Sequence, residues 1–451
     1  LSLSLLSSLK YTGRSEIMNK NPADCTAILI NSQTGDSQRV NLQYFIVWNE
    51  LCNFINAKWS IKEDHVCLLL SPIGIKLDKF NYLKILNTLN KSNTLEIWIF
   101  SKNNTIEDYR RNNLTLIKPL SSPLSDVIIL DLNYSSLLSL LTTNLGWLSA
   151  LEIDGYYLND VISSVSNKLS ILIRGCFIFI QYLQNLIDDL TKLLKKNDNF
   201  FNDLLNDRQN MQWEKIYVEI LNKLPLYQLK NTDQETLQDL VEFHTLKNYD
   251  LQMSQLRMVI EEKFNKINSN LKQIKKDFET LKSDLNSLKN QTFKSNNNDG
   301  ICQVTNDTEF SQFKDSINFA KTFSRNIIND PAYNNINTKI DKDMIQKLKS
   351  LKDKHLFPLF ETSQDLYRKS LKLLDYQKQL KEETKPISSR LYQTEQNITD
   401  LKQFILDNLN QDLKQFQSFD IAFAHIEDLP IVYGLYMIEI WRKINWTLVI
   451  L

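Results

Sequence analysis

The residues able to do chemistry are few and scattered. His65, His244, His355 and His425 are the only histidines, and none has a second histidine four positions on or an H-E-x-x-H setting, the spacing that brings two imidazoles to one metal. Each reads as a surface or satisfied core residue. Cys25, Cys52, Cys67, Cys176 and Cys302 are odd in number, widely spaced and free of any C-x-x-C pair, so neither a disulfide framework nor a zinc site is expected. They read as small hydrophobes of a reducing compartment. No G-x-S-x-G elbow, Walker-type phosphate loop or G-x-G-x-x-G occurs. Asp277-Phe278 is followed by Glu279, so the D-F-G element of a protein kinase is not present there. The carboxylate pairs Asp188-Asp189 and Glu261-Glu262 fall in helical patterns, where a solvated face accounts for them. These residues predict no enzyme, no cofactor and no metal.

Composition points the same way. Only 8 glycines and 9 prolines occur in 451 residues, so glycine is at about a quarter of its usual share. Glycine supplies the positive-φ turns and close backbone approaches that phosphate loops require. Its scarcity, beside abundant Leu, Lys, Asn, Gln and Asp, predicts long helices with few crossings. Lys+Arg and Asp+Glu number 53 each. A nucleic-acid partner is therefore not expected, because such affinity comes largely from a basic excess set against phosphates. The most apolar stretch, residues 171–183, carries Arg174 and Gln181 and falls short of the ~20 residues a bilayer demands. It reads as a buried helix rather than a membrane span, with at most a peripheral membrane association.

The elements that would position a site show most clearly near the start. Residues 26–31 (TAILIN) and 38–42 are β-type runs, separated by Ser32-Gln33-Thr34-Gly35-Asp36, which is hairpin chemistry. Phe45, Trp48, Cys52, Ile55 and Trp59 follow at helical spacing. Residues 66–70 and 95–100 then read as buried strands, with a turn at Ser71-Pro72 and Gly74. The order ββαββ is that of a ubiquitin-like β-grasp. Lacking a terminal Gly-Gly and running on into more chain, this head should be a docking or structural module.

The fold class expected is mainly α: an N-terminal ubiquitin-like β-grasp domain followed by an elongated helical bundle with a coiled-coil segment. The organisation is a leader over 1–23, the ubiquitin-like domain over 24–101, a polar, proline-punctuated linker over 102–131 and a helical scaffold over 132–451. Met18 is the expected natural start. Asn-rich stretches over 294–309 and 329–341 read as loops.

Between 256 and 292 the pattern sharpens to a coiled coil. Ile260, Phe264, Ile267, Leu271, Ile274, Phe278, Leu281, Leu285 and Leu288 recur at steps of four and three without a miss, which is the requirement for knobs-into-holes packing. With Phe264, Leu271, Phe278 and Leu285 at a, Asp277 and Asp284 fall at g, and Lys282 and Lys289 at e. A parallel in-register homodimer would pair Asp277 with Lys282 and Asp284 with Lys289. The same seam equally suits one long helix packed within the chain's own bundle.

Two segments carry a resemblance. Residues 140–154 (LLTTNLGWLSALEID) and 427–436 (EDLPIVYGLY) closely resemble the N-terminal half of the fungal selective-autophagy scaffold family, autophagy-related protein 11. Ile117-Lys118-Pro119, Ser122-Pro123-Leu124, Leu132-Asn133-Tyr134 and Trp213-Glu214-Lys215 sit in the matching order. In the first block Leu141, Leu145, Leu148 and Leu151 share a helical face beside Gly146 and Trp147, which predicts a core role. In the second, Pro430 after Glu427-Asp428 reads as a helix start. Tyr433 belongs to the same signature, and Gly434 would allow a close helix–helix approach.

The resemblance implies a homodimeric scaffold that gathers the autophagy-initiating serine/threonine kinase and other initiation proteins at the phagophore assembly site, peripheral on the vacuolar membrane. It implies service in cytoplasm-to-vacuole targeting, mitophagy and pexophagy. Cargo receptors would be engaged only through a C-terminal region that this chain does not include. Two rival readings stand beside it: the ubiquitin-like and helical dimerisation region of a larger kinase, and a peripheral membrane-tethering module.

Overall fold

The scarcity of glycine has its counterpart in helices of unusual length. The computed structural model describes residues 26–45, 47–59, 68–79, 82, 95–101, 116–125, 129, 132–210, 213–227, 236–293, 307–331 and 339–450. The expected leader over 1–23, His65, Cys25, Cys67, Cys302, residues 294–306 and 332–338, and most of 102–131 lie outside these.

The head is a five-stranded sheet: β1 (Thr26–Asn31), β2 (Ser37–Asn41), β3 (Leu68–Leu70), β4 (Lys76–Leu77) and β5 (Leu95–Phe100). Its strand order is β2-β1-β5-β3-β4. β1 runs antiparallel to β2 and parallel to β5, with Leu29 opposite Ile97. β3 runs antiparallel to β5, with Leu69 opposite Ile99. Helix α1 (Trp48–Trp59) sits between β2 and β3 in the chain. This is the β-grasp arrangement expected; the two-residue β4 is the added element.

Alternation sorts each strand into two faces. Ala27, Leu29, Leu69, Ile97 and Ile99 join Leu51 and Ile55 of α1 in one core. On the opposite face Leu68 pairs with Phe100, and Leu70 with Trp98, and all four are buried as well.

The remainder is helical: α2 (Tyr134–Asn210), α3 (Phe243–Phe293), α4 (Asp307–Ile328), α5 (Lys342–Leu351), α6 (Phe357–Phe404) and α7 (Asn410–Ile450). Wide turns at Lys352–Leu356 and Ile405–Leu409 join the last three. The mainly helical fold with a mixed sheet at its start matches the expected class.

The chain divides into two units, Leu1–Tyr182 with Leu281–Tyr392, and Leu183–Thr280 with Gln393–Leu451. In the first, the head packs on α2, and a second core gathers Leu137, Leu141, Leu148 and Leu151 of α2 with Phe313 and Ile317 of α4 and Met344 and Leu348 of α5. Leu124 and Ile129, inside the stretch expected to be a linker, are buried in that core. In the second unit, aromatic rings interlock the helices: Phe201 meets Phe264 and Phe416, and Trp213 meets Phe243 and Phe423.

Two helical spans among the described residues are long and apolar enough to cross a membrane by length and composition. In one, within Tyr134–Asn206, 56% of the apolar window is buried; in the other, within Lys342–Thr447, only 6% is. The second adds to the sequence reading, which found its most apolar stretch at 171–183.

Candidate interaction surfaces

The head's outer sheet face is occupied by the helix it packs on. The Phe100 ring meets Phe179 edge to face, with centroids 5.2 Å apart. The Arg174 guanidinium lies over the Trp98 ring and donates to Glu96 Oε2 at 2.7 Å. Lys168 pairs with Asp36 at 3.1 Å. Two glycines make this approach possible. A Cβ on Gly175 would fall 2.9 Å from Ser32 Cβ, and one on Gly74 would fall 2.6 Å from the Tyr182 backbone nitrogen. Gly74 also has φ +71°, a conformation side chains resist. The face a free ubiquitin-like module would offer to a partner is therefore covered within the chain.

Lys381 completes this seam electrostatically. Its ammonium is pushed down to about 8 by burial first and then by the neighbouring Lys168, with Asp36 acting in the opposite sense. Cys176, one residue past Gly175, is fully buried, and burial pushes its thiol up to about 12. A thiol so far from its thiolate is a packing group and not a nucleophile.

The coiled-coil residues lie where the periodicity places them, but their partner is the chain itself. Phe264, Ile267, Leu271, Ile274, Phe278, Leu281, Leu285 and Leu288 are all buried. In the second unit, Ile267 and Ile274 line a groove of about 410 Å³ together with Leu401 and Phe404 of α6. In the first unit, Asp284 pairs with Arg390 at 2.7 Å, and the Lys289 ammonium lies over the Phe177 ring. Asp277 accepts from Gln273 of its own helix, and Lys282 is exposed. The seam expected at a dimer interface is thus packed within one chain, where the chain's own helices remove its apolar area from water.

The signature blocks divide. Leu148 is fully buried and Leu145 half-buried, as a core role requires; Gly146 faces open space. The Trp147 indole N–H donates to the Leu120 carbonyl at 2.9 Å. The sequence reading missed Asn144, fully buried on the same helix, whose Oδ1 accepts from the Ser122 hydroxyl at 2.8 Å. These two bonds hold residues 120–122 against α2.

In the second block Pro430 lies inside α7 and does not begin a helix. Proline there removes one i→i−4 bond and crowds the carbonyl four residues back, yet the 41-residue helix continues on both sides. The Tyr433 hydroxyl donates to the Pro225 carbonyl at 2.7 Å and accepts from the Tyr227 N–H at 2.8 Å. Asp428 is exposed. A Cβ on Gly434 would meet nothing within 4 Å, so the close helix approach expected of it is not made within the chain. Beyond it Leu435, Tyr436, Ile438, Trp441, Ile444 and Trp446 are all exposed.

Comparison with known proteins follows this division. Residues 124–449 match the model of the autophagy protein ATG17-like domain. The chain is similar to autophagy-related protein 11 of Saccharomyces cerevisiae, 28% identical over 468 residues that cover 94% of this chain and 39% of the relative. It is also similar to the proteins of that name from Vanderwaltozyma polyspora, 29% identical over 93% of the chain and 36% of the relative, and from Candida glabrata, 26% identical over 94% and 40%. The chain thus spans about two fifths of the length of these relatives. With a matched region that takes in the helical core, both signature blocks and the seam, the chain belongs to the autophagy protein ATG17-like domain family.

Proposed function

We propose that this chain is the N-terminal part of a non-catalytic scaffold for selective autophagy. Its task would be to gather the autophagy-initiating serine/threonine kinase and other initiation proteins at the phagophore assembly site, from the cytoplasm and peripherally on the vacuolar membrane. The family match over residues 124–449 carries this reading. The apolar residues of the seam, the head and the aromatic clusters support it, because they join helices to one another. The groove beside the seam carries polar groups of mixed charge, Lys266, Asn270, Gln273, Asp277, Asn397 and Asp400.

The mechanism would be clustering. A scaffold that holds two kinase complexes raises their mutual concentration and favours activation in trans without any new contact between them. A homodimer would serve this, through a surface other than the Phe264–Leu288 seam. Cytoplasm-to-vacuole targeting, mitophagy and pexophagy are the processes proposed, with cargo receptors engaged outside this region.

The test is a pull-down of the purified chain with the reconstituted initiation complex, followed by crosslinking mass spectrometry, and sedimentation equilibrium of the chain alone. Kinase capture with crosslinks to the helical units is expected. A chain that retains no initiation protein at tens of micromolar would sink the proposal.

A further inference from the structure

Ser122 precedes Pro123, and a serine followed by proline is the acceptor dipeptide of proline-directed protein kinases. The sequence holds one other, Ser71-Pro72. The two stand in different surroundings. The Ser71 hydroxyl accepts from the Ile75 N–H at 3.1 Å and its carbonyl from the Gly74 N–H at 3.0 Å, in the turn that pairs β3 with β4. Gly74 in that turn is pressed against the Tyr182 backbone. Freeing Ser71 would undo part of the sheet and the contact between head and α2.

Ser122 ends a stretch, residues 116–122, that belongs to no helix or strand. Three polar contacts among the described residues tie this part of the chain down: the Trp147 indole to the Leu120 carbonyl, the Ser122 hydroxyl to Asn144, and the Lys352 ammonium to the Ser125 carbonyl. The middle one is imperfect. Ser122 Oγ donates to Asn144 Oδ1 and accepts from the Leu124 N–H at 3.1 Å. That leaves Nδ2 of the fully buried Asn144 with no partner among the described residues. A buried donor left unpaired offsets much of what the bond beside it contributes. The rest of the hold is apolar, chiefly Leu124 in the core it shares with Leu141 and Leu148. A segment held by so few contacts belongs to the low-stability end of a fold.

We propose that Ser122 is a phosphorylation site, and that its phosphorylation releases residues 116–125 from α2. Ser122 Oγ attacks the γ-phosphorus of a nucleoside triphosphate held by a proline-directed kinase. The Oγ–P bond forms, the bond from that phosphorus to the β–γ bridging oxygen breaks, the hydroxyl proton passes to the kinase's carboxylate base, and the nucleoside diphosphate leaves. In the docked segment Ser122 is 5% exposed, so the kinase acts on the segment after it has lifted. A phosphoserine carries about −1.5 to −2 charges at neutral pH, and Asn144 offers that charge only a neutral amide at the edge of an apolar core. Burial without adequate partners blocks the return, and Leu124 stays out of the core. The inference is independent of the kinase-gathering role, since it needs neither the initiation complex nor a second copy.

The experiment treats the whole chain with a purified mitogen-activated kinase and ATP, beside a synthetic peptide of residues 116–126, and locates phosphate by tandem mass spectrometry. Phosphate is expected on Ser122 in both, and not on Ser71. Trp147→Phe keeps a ring and removes the donor to the Leu120 carbonyl, so labelling of Ser122 should quicken by about two- to tenfold, the worth of one net hydrogen bond. In the phosphorylated wild type, the Leu124 and Ser125 amides, which donate to the Ser122 hydroxyl and carbonyl, should exchange more than about tenfold faster. A peptide left unlabelled, or a labelled peptide beside an unlabelled chain, overturns the proposal. Equal labelling of Ser71 would mean general unfolding and overturns it too, as does an unchanged rate in the Trp147 variant. Unchanged or slower exchange after phosphorylation would show that the phosphate is held in place, with Lys352 the nearest cation, and would overturn the release.

Discussion

Asp284 lies 2.7 Å from Arg390 of its own chain, although its heptad position would have set it against Lys289 of a second copy. Both side chains are nearly half exposed, so the pair itself is worth only about 0.2–1 kcal/mol. What matters is the seam beneath it. Leu285, the next residue, is fully buried, and Leu285→Ala should destabilise the chain by about 2–5 kcal/mol. Because the seam is closed within one chain, the resulting drop in Tm should be the same at 1 and 50 micromolar, roughly chosen to bracket a weak dimer. Calorimetry at the two concentrations decides: a Tm that climbs with concentration in the wild type and not in the variant would restore the intermolecular seam.

The contact between head and helix can be broken without touching the head's own core. Gly175→Leu sets a side chain against Ser32, where even a Cβ would stand 2.9 Å away. The substitution improves helix propensity by up to about 1 kcal/mol, so any loosening must come from the lost approach. Hydrogen exchange should quicken at the β5 amides around Trp98 and Phe100, while Leu51 and Ile55 of α1 keep their protection. Unchanged exchange in β5 would show that the seam tolerates the added volume.

Much of this architecture is legible in the sequence, and the parts that are not share a cause. LEIWIF is apolar at both parities, the mark of a strand covered on both faces. Residues 171–183 are apolar enough to read as a buried helix. Each half of the contact is thus visible, but Trp98 and Gly175 stand 77 positions apart and neither leaves a local trace of the other. A glycine in the middle of an apolar helix, in a chain with so few, is the one signal that something approaches closely. The seam poses the same problem in another form. Its three-and-four spacing is identical whether the facing helix belongs to the same chain or to another, so Arg390 could not have been named from the heptads. The two residues of β4 are too few to show any alternation, and Pro430 misled because a proline after two carboxylates looks the same at a helix start as inside a helix that continues past it.

Tyr433 gives the second signature block a structural role that can be measured. Its hydroxyl both donates to the Pro225 carbonyl and accepts from the Tyr227 amide. Tyr433→Phe keeps the ring and removes both bonds. At about 0.5–1.5 kcal/mol for a net hydrogen bond, exchange of the Tyr227 amide should accelerate by up to about tenfold, with the global Tm little changed. A large fall in Tm instead would place Tyr433 in the core of the unit and not at a local tether.

Lys381 makes the stability of the first unit depend on pH in a definite direction. Its folded value is about 8, against 10.5 for the free side chain, chiefly because burial disfavours the ammonium and secondarily because Lys168 lies near it. Below about pH 8 both the folded and the unfolded chain hold the proton, and the penalty of the half-buried charge is constant. Between 8 and 10.5 the unfolded chain holds more protons than the folded one, so stability rises with pH across that window. Lys381→Met keeps the length of the side chain and removes the titrating group. The variant should be the more stable of the two at pH 7, and its Tm should gain less than the wild type's between pH 8 and 10. Other lysines and tyrosines titrate in the same range, which is why the difference between the two curves, and not either slope alone, is the quantity to measure. Parallel curves would mean that the Lys381 ammonium stays fully solvated, and that Asp36 and Lys168 pair without reference to it.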